Sequence, residues 1–193
     1  MGLAVGTFVA FRFDLPVARA MRGDHSVVPG DVNKAINLME AFGHLAGALV
    51  ILLGVWTLDP PGRRRLVIPL GMILASGLCV QLLKRLVSRT RPSAITDWGM
   101  TVGDTFGGWH GLSGLLDSRF QSFPSAHAAV ATALAWSLAS LYPRGRYYFA
   151  TLAVLASLQR VTASAHFPSD VLAGAAISSL VAALWPRRSE ATG

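Results

Sequence analysis

Five long stretches of the sequence contain no Lys, Arg, Asp or Glu, and they constrain the fold more than any other feature. They cover residues 41–58, 66–83, 120–143, 147–159 and 171–186. A helix of 18 residues is about 27 Å long, close to the roughly 30 Å hydrocarbon core of a bilayer. We therefore predict an all-α fold, a polytopic bundle of transmembrane helices. Its five predicted spans lie near 36–58, 66–84, 125–142, 147–163 and 168–185.

The composition agrees with a membrane protein. Only 14% of the 193 residues are charged and 52% are apolar, whereas a soluble domain carries about 25% charged residues. Cys79 is the only cysteine, so neither an internal disulfide nor a cysteine-built metal site is possible. The chain has 17 Lys and Arg against 10 Asp and Glu, a net charge of +7. In so apolar a chain, this excess indicates anionic lipid headgroups or phosphate ligands as partners rather than nucleic acid.

We predict one domain over residues 1–193, with two stretches outside the spans. Residues 1–34 are predicted to form an N-terminal interfacial segment and a loop, because the apolar run 2–11 reaches only about 15 Å as a helix. A truncated sixth span is the alternative. Residues 93–123 form a long loop with Trp98, Trp109 and six glycines. This loop is either a flexible connection with tryptophans at headgroup level or a lid over the site.

The predicted spans bring three groups of polar and ionisable residues to one face of the bundle. They are Lys84, Arg85, Arg89 and Arg91 after the second span, Ser125, Ala126 and His127 at the start of the third, and Arg160, His166 and Asp170 around the last connection. Arginine offers a fork of donors to phosphate oxygens, and lysine offers a compact positive charge. Each cation alone could be an interfacial anchor, but together they predict a phosphate site that needs no metal.

The histidines and the helix starts give this site its expected chemistry. His166 and Asp170 are four residues apart, so their side chains can meet. A carboxylate on one imidazole nitrogen fixes the tautomer and leaves the other lone pair free to attack. His127 could then donate a proton to a leaving alkoxide, giving a bell-shaped pH–rate profile. We also expect free N–H groups of Ser125 and Ala126 to bind the anion at a helix N-terminus.

A polar stripe runs along the first predicted span. Asn37, Glu40 and His44 recur there at helical spacing. These residues either face the bundle or the interface, or they recognise a headgroup, since polar residues inside a membrane are often functional.

The spacing of the ionisable residues resembles a known three-block signature. Six residues separate Lys84 from Arg91-Pro92, the second block is Pro124-Ser125-Ala126-His127, and the third runs from Arg160 through His166 to Asp170. This order is similar to the motif of the type 2 phosphatidic acid phosphatase superfamily, which also includes the vanadium haloperoxidases. Two positions depart from it, since the family usually has Gly at 126 and Ser at 159, where this chain has Ala and Gln.

The resemblance implies a metal-independent phosphatase without a cofactor. By that resemblance His166 is the nucleophile that forms a phosphohistidine, Asp170 orients it, and His127 protonates the leaving group. The phosphate would be bound by Lys84, Arg91, Ser125, Ala126 and Arg160. The implied substrate is a lipid phosphate or pyrophosphate, with phosphatidate, phosphatidylglycerol phosphate, polyprenyl (pyro)phosphate and phosphorylated lipid A all open.

Three other functions fit the same residues. A lipid phosphotransferase would use the same phosphohistidine, a haloperoxidase shares the site residues, and a non-catalytic membrane scaffold would only bind anionic lipid.

Clustered arginines on the opposite face favour a cytoplasmic location for that face; they are Arg63, Arg64, Arg65, Arg144, Arg146, Arg187 and Arg188. If the N-terminus does not span, seven further cations lie on the face of the site: Arg12, Arg19, Arg22, Lys34, Arg85, Arg89 and Arg119. The clustering, together with the orientation that the family resemblance implies, predicts a site on the exoplasmic side, which is the periplasmic side of an inner membrane if the source is bacterial.

Overall fold

The computed structural model describes residues 2–22, 27–107 and 117–186, and these ranges are helical without any β-strand. The helices are α1 (Gly2–Ala10), α2 (Asp14–Ala20), α3 (Gly30–Leu38), α4 (Glu40–Gly43), α5 (Leu45–Leu58), α6 (Val67–Leu86), α7 (Ala126–Leu141), α8 (Arg146–Thr162) and α9 (Pro168–Leu184). The predicted all-α class is confirmed. Trp109 of the long loop, with three of its glycines, and Arg187 and Arg188 lie outside the described residues.

Helix α7 is the centre of the bundle, packed by α6, α8 and α9. It is rich in alanine, and Ala128, Ala129 and Ala131 are completely buried. Small side chains let helices approach closely. At the tightest point, a Cβ atom on Gly174 of α9 would collide with the carbonyl oxygen of Ser125. The start of α7 is therefore held directly against α9.

The five predicted spans are not confirmed by helix length and composition. Within the described ranges, one helical stretch, Pro60–Leu86, is long and apolar enough to cross a membrane. A second passes only if Gly30–Gly43 and Leu45–Leu58 are taken as one span bent by 72°. The apolar helices α7 and α9 have 16 and 17 residues, about 25 Å of helix. Helix α7 begins one residue later than predicted, after its N-cap Ser125, and ends one residue earlier. Helix α9 begins at the predicted Pro168 and ends one residue earlier, at Leu184.

The predicted first span is broken at His44. This residue has extended backbone angles, and its Nδ1 accepts a hydrogen bond from the Ala46 N–H, so it caps α5. Glycine permits the bend, because a Cβ on Gly47 would overlap the backbone of Ala41. A Cβ on Gly43 would lie 3.0 Å from the carbonyl oxygen of His127. The bend therefore brings the polar stripe to the start of α7.

The N-terminal helices pack onto the rest of the chain. Helix α1 lies along α9, and α2 is bound to the long loop by two arginines. The Arg19 and Arg22 guanidinium groups donate to the carbonyl oxygens of Trp98 and Ile95, both at 2.7 Å. Both groups also lie over the Trp98 ring. Trp98 thus packs against α2 and the buried side chains of Ile95 and Phe167.

Candidate active site

The structure brings all eight predicted site residues to one end of the bundle. Lys84 lies in the last turn of α6, Ser125 and Ala126 begin α7, and Arg160 lies near the end of α8. Lys84 interacts electrostatically with Arg91, Arg160 and Asp170, and His127 does so with Arg91, Arg160 and His166. Arg85 is exposed and takes no part in this group.

An extended segment after α6 fixes Arg91. The Arg91 N–H donates to the carbonyl of Arg119 at 2.8 Å, and the Arg89 N–H donates to that of Phe120 at 2.9 Å. Lys84 Nζ donates to the carbonyl oxygen of Gln121. The returning end of the long loop therefore holds two of the predicted phosphate ligands.

His166 and Asp170 are neighbours, as their spacing predicts, but they are not in direct hydrogen-bond contact. His166 Nδ1 lies 3.6 Å from Asp170 Oδ2. That oxygen instead accepts from the Ser122 hydroxyl at 2.6 Å and from the Phe167 N–H at 2.8 Å. Within the described ranges, Nδ1 has no hydrogen-bond partner. The carboxylate is thus locked in place beside the imidazole.

Burial governs the protonation of the site. His166 is only 2% exposed, and its burial lowers its pKa to about 4, with the Asp170 carboxylate opposing the shift. The imidazole is therefore neutral at neutral pH, with a lone pair available. Burial also lowers the pKa of Arg91, and the nearby Arg160 lowers it further. Because arginine starts from so high a pKa, Arg91 remains a cation.

Arg89 and Asp14 form a part of the site that the sequence did not predict. Arg89 Nη1 donates to Asp170 Oδ1 at 2.5 Å and to the Ser169 hydroxyl at 2.7 Å, and Nη2 donates to Asp14 Oδ2 at 2.7 Å. Arg89, Asp14, Ser169 and Asp170 are all fully buried. Assigning Arg89 to a phosphate cluster or an interfacial anchor was therefore wrong, because its donors are occupied by carboxylates. The one sequence signal was Asp14, an acid three residues beyond the end of the apolar run 2–11.

The start of α7 differs in one detail from the prediction. Ser125 is the N-cap, and its Oγ accepts from the Ala128 N–H at 3.4 Å. Its own N–H donates to the carbonyl of Asp170 at 2.9 Å, so the expected free amide at Ser125 was wrong. The Ala126 N–H has no acceptor among the residues described. This amide can still serve an anion.

The polar stripe of the first predicted span faces this site. Arg160 Nη1 donates to Glu40 Oε1 at 2.7 Å and to Gln159 Oε1 at 3.1 Å. Gln159 Nε2 in turn donates to Asn37 Oδ1 at 3.2 Å. Glu40 Oε1 also lies 4.0 Å from His127 Nε2. The described residues contain no group of three or more His, Cys, Asp or Glu that could hold a metal ion.

These features define a helical protein in which cationic side chains form an anion-binding site beside a buried histidine. A family model, described as PAP2 superfamily, matches residues 65–192. The chain belongs to the PAP2 superfamily.

Two relatives are informative. The lipid A 1-phosphatase of Rhizobium johnstonii is 38% identical over 107 residues, which are 55% of this chain and 41% of that protein. The match therefore spans about two fifths of the rhizobial relative. The decaprenylphosphoryl-5-phosphoribose phosphatase of Mycobacterium tuberculosis is 31% identical over 182 residues, covering 86% of this chain and 90% of that protein. Both names are those of phosphatases, so the family includes hydrolases of phosphoric esters.

Two solved structures share the fold. Aquifex aeolicus LpxE has a TM-score of 0.66 at 17% identity, covering 89% of this chain and 93% of its own. The transmembrane PAP2-type phosphatidylglycerolphosphate phosphatase from Bacillus subtilis has a TM-score of 0.68 at 18% identity, covering 95% and 92%. The helical arrangement is therefore shared with LpxE and with a solved transmembrane PAP2-type protein.

Proposed function

We propose that this chain is a membrane phosphatase that hydrolyses the terminal phosphate of a lipid phosphate or pyrophosphate through a phosphohistidine at His166. The observation that carries the proposal is the buried His166 beside the fixed Asp170 carboxylate, at 3.6 Å. A neutral imidazole at the bottom of a cationic site is suited to attack phosphorus.

In the first step, the lone pair of His166 Nε2 attacks phosphorus, and the bond from phosphorus to the leaving oxygen breaks. His127, which is protonated when the phosphate anion is bound beside it, gives its proton to the leaving oxygen. Lys84, Arg91, Arg160 and the Ala126 N–H stabilise the charge that develops on the phosphoryl oxygens. The Asp170 carboxylate, beside Nδ1, stabilises the positive charge that the imidazole gains.

In the second step, water attacks the phosphohistidine. His127, now neutral, takes a proton from that water, and the bond from nitrogen to phosphorus breaks. Inorganic phosphate leaves, and both histidines return to their starting protonation. Each water consumed yields one inorganic phosphate and one alcohol, or one phosphate monoester when the substrate is a pyrophosphate.

A lipid substrate is supported by the relatives, whose names specify lipid A and a decaprenyl-linked phosphoribose.

We propose that the helices cross the membrane in five spans, with α3 to α5 forming the bent first span. Arg63, Arg64 and Arg65 lie at the start of α6 and the site lies at its other end. The positive-inside tendency then supports an exoplasmic site.

The experiment is phosphate release by the detergent-solubilised protein, with EDTA present. The panel holds phosphatidate, phosphatidylglycerol phosphate, undecaprenyl pyrophosphate and a polyprenyl-linked phosphoribose, and His166→Ala is run alongside. We expect release that survives EDTA and is lost in the variant. Equal release by the variant, or none by the wild type from any lipid, would overturn the proposal. Little free phosphate but transfer to an added acceptor alcohol would identify the phosphotransferase instead.

A further inference from the structure

The bend at His44 gives the site a second wall whose chemistry differs from that of the phosphate ligands. Asn37 accepts from Gln159, Glu40 accepts from Arg160, and the His44 ring lies 5.6 Å from the His127 ring between centroids. Glu40 and His44 therefore contact Arg160 and His127 of the site, and Asn37 contacts Gln159, which accepts from Arg160.

Glu40 lies on the side from which the leaving group departs. His127 is the proposed acid for the leaving oxygen, and its Nε2 is 4.0 Å from Glu40 Oε1. The carboxylate beside His166, Asp170, is in contrast fully buried and bonded to Arg89 and Ser122. The Glu40 side chain is 46% exposed. It is thus open to the group that is esterified to the phosphate.

Glu40 and His44 of this wall complement each other as hydrogen-bond acceptor and donor. A carboxylate only accepts hydrogen bonds. His44 Nδ1 already accepts from the Ala46 N–H at 3.2 Å, so a neutral His44 ring carries its proton on Nε2 and can donate it. A hydroxyl group both donates and accepts, which suits this pair. A second phosphate would instead be repelled by the carboxylate.

We propose that Glu40 and His44 bind hydroxyl groups of the headgroup and so select a phosphate monoester on a polyhydroxylated, sugar-like headgroup over a pyrophosphate. The inference rests on the proposed function, because it takes His127 as the acid for the leaving group. It assigns to the bent first span the role of specificity, while the phosphate itself is bound by α6, α7 and α8.

Glu40→Gln tests this proposal with three substrates: a polyprenyl-linked 5-phosphoribose, dioleoyl phosphatidate and undecaprenyl pyrophosphate. Glutamine keeps the size of the side chain and can still accept from Arg160. Because a hydrogen bond to a charged acceptor is stronger than one to a neutral amide oxygen, loss of the charge should lower kcat/KM on the phosphoribose lipid by about 10-fold. On phosphatidate, whose leaving group has no free hydroxyl, we expect a change of less than about threefold. On the pyrophosphate, kcat/KM should rise.

Two further variants keep the outcome interpretable. Asp31→Asn on α3 removes a charge from an exposed carboxylate paired only with the exposed Lys34, and all three substrates should be unaffected. Glu40→Asp retains the charge, so it should still discriminate against the pyrophosphate. This variant therefore tests the role of the charge even if Glu40→Gln folds poorly. An equal loss on all three substrates in Glu40→Gln would mean that Glu40 only orients Arg160 and His127, and it would overturn the inference.

Unchanged kinetics of Glu40→Gln on every substrate would overturn it as well. The proposed function fails differently. In that case the wild type itself releases no phosphate from any of the three lipids, or His166→Ala retains full release.

Discussion

Arg89 Nη2 lies 2.7 Å from Asp14 Oδ2, and both side chains are completely buried although 75 residues separate them in the sequence. The same guanidinium donates to Asp170. Three aromatic rings surround it, those of Phe167, Phe106 and Phe11, with centroids 4.1, 4.5 and 5.3 Å from Cζ. One arginine therefore links the N-terminal helices to the carboxylate beside His166.

Asp14→Ala should strongly destabilise the protein. Arg89 would keep its pairing with Asp170, but Arg89 Nη2 and the N–H and hydroxyl of Ser169 would lose their buried acceptor. Each unsatisfied buried donor costs about 1–3 kcal/mol. Thermal unfolding in detergent should show a clear drop in the midpoint. Asp31→Ala, at an exposed pair with Lys34, should change stability by no more than about 0.5 kcal/mol. Equal midpoints for the two variants would contradict a structural role for the buried pair.

The activity should persist in mildly acidic solution. Because burial lowers the His166 pKa to about 4, the imidazole keeps its lone pair well below the pKa of about 6.5 of an ordinary histidine. The kcat/KM profile, corrected for ionisation of the substrate, should therefore retain activity at about pH 5. An acid limb centred near about pH 6.5 would contradict a buried, neutral His166.

The same shift makes folding stability depend on pH. Since the folded-state pKa of His166 lies below its unfolded value, the unfolded chain binds more protons between about pH 4 and 6.5. Stability is therefore full above that window and is lost as the pH falls through it. His166→Asn should flatten this part of a plot of unfolding free energy against pH. A slope identical to that of the wild type would contradict the assignment to His166.

Ser122→Ala should lower kcat more than it raises KM. Its hydroxyl donates to Asp170 Oδ2 at 2.6 Å, and losing a hydrogen bond to a buried carboxylate costs about 1.5–3 kcal/mol. The carboxylate would then be less firmly held beside His166. Ser137→Ala is the matched control, because Ser137 is also fully buried but bonds only to the Leu134 carbonyl within α7. Steady-state kinetics of both variants check this, and a similar kcat for the two would count against it.

Gly174→Ala should disturb the contact between α9 and the start of α7. The added methyl group would collide with the Ser125 carbonyl oxygen, and overpacking of this kind costs about 1–3 kcal/mol. Gly54→Ala and Gly77→Ala lie in helices with open space at the Cβ position, so each should stabilise its helix by up to about 1 kcal/mol. The unfolding midpoint should thus fall for Gly174→Ala and rise for Gly54→Ala and Gly77→Ala.

The helices were predictable because charge-free runs and their flanking arginines mark where a helix is buried and where it ends. The break at His44 was not, because the run 41–58 is uniformly apolar and hydropathy contains no information on backbone angles. There a side chain caps the following helix, and two glycines accept close backbone contacts. The cap and the glycine contacts involve only a few residues, and they leave unchanged the apolar pattern that is typical of one straight span.

The phosphate ligands were predictable from their spacing, but the roles of neighbouring cations were not. In the sequence, Arg89 and Arg91 are two arginines on the same loop. Their difference depends on whether a carboxylate from α2 packs against them, which is a contact between distant residues. The sequence also did not predict the role of Gln159, which stands where the family usually has Ser. Its longer side chain reaches both Asn37 and Arg160.

The buried pair between Asp14 and Arg89 has a consequence for the smallest unit that can work. The family match begins at residue 65, so a fragment cut at that boundary would keep every residue of the three-block motif. It would nevertheless expose an arginine that is surrounded by aromatic rings and would leave it paired with Asp170 but not with Asp14. Helix α2 is therefore an integral part of the catalytic unit, and a fragment defined by the motif alone would lack one of the two carboxylates that bind Arg89.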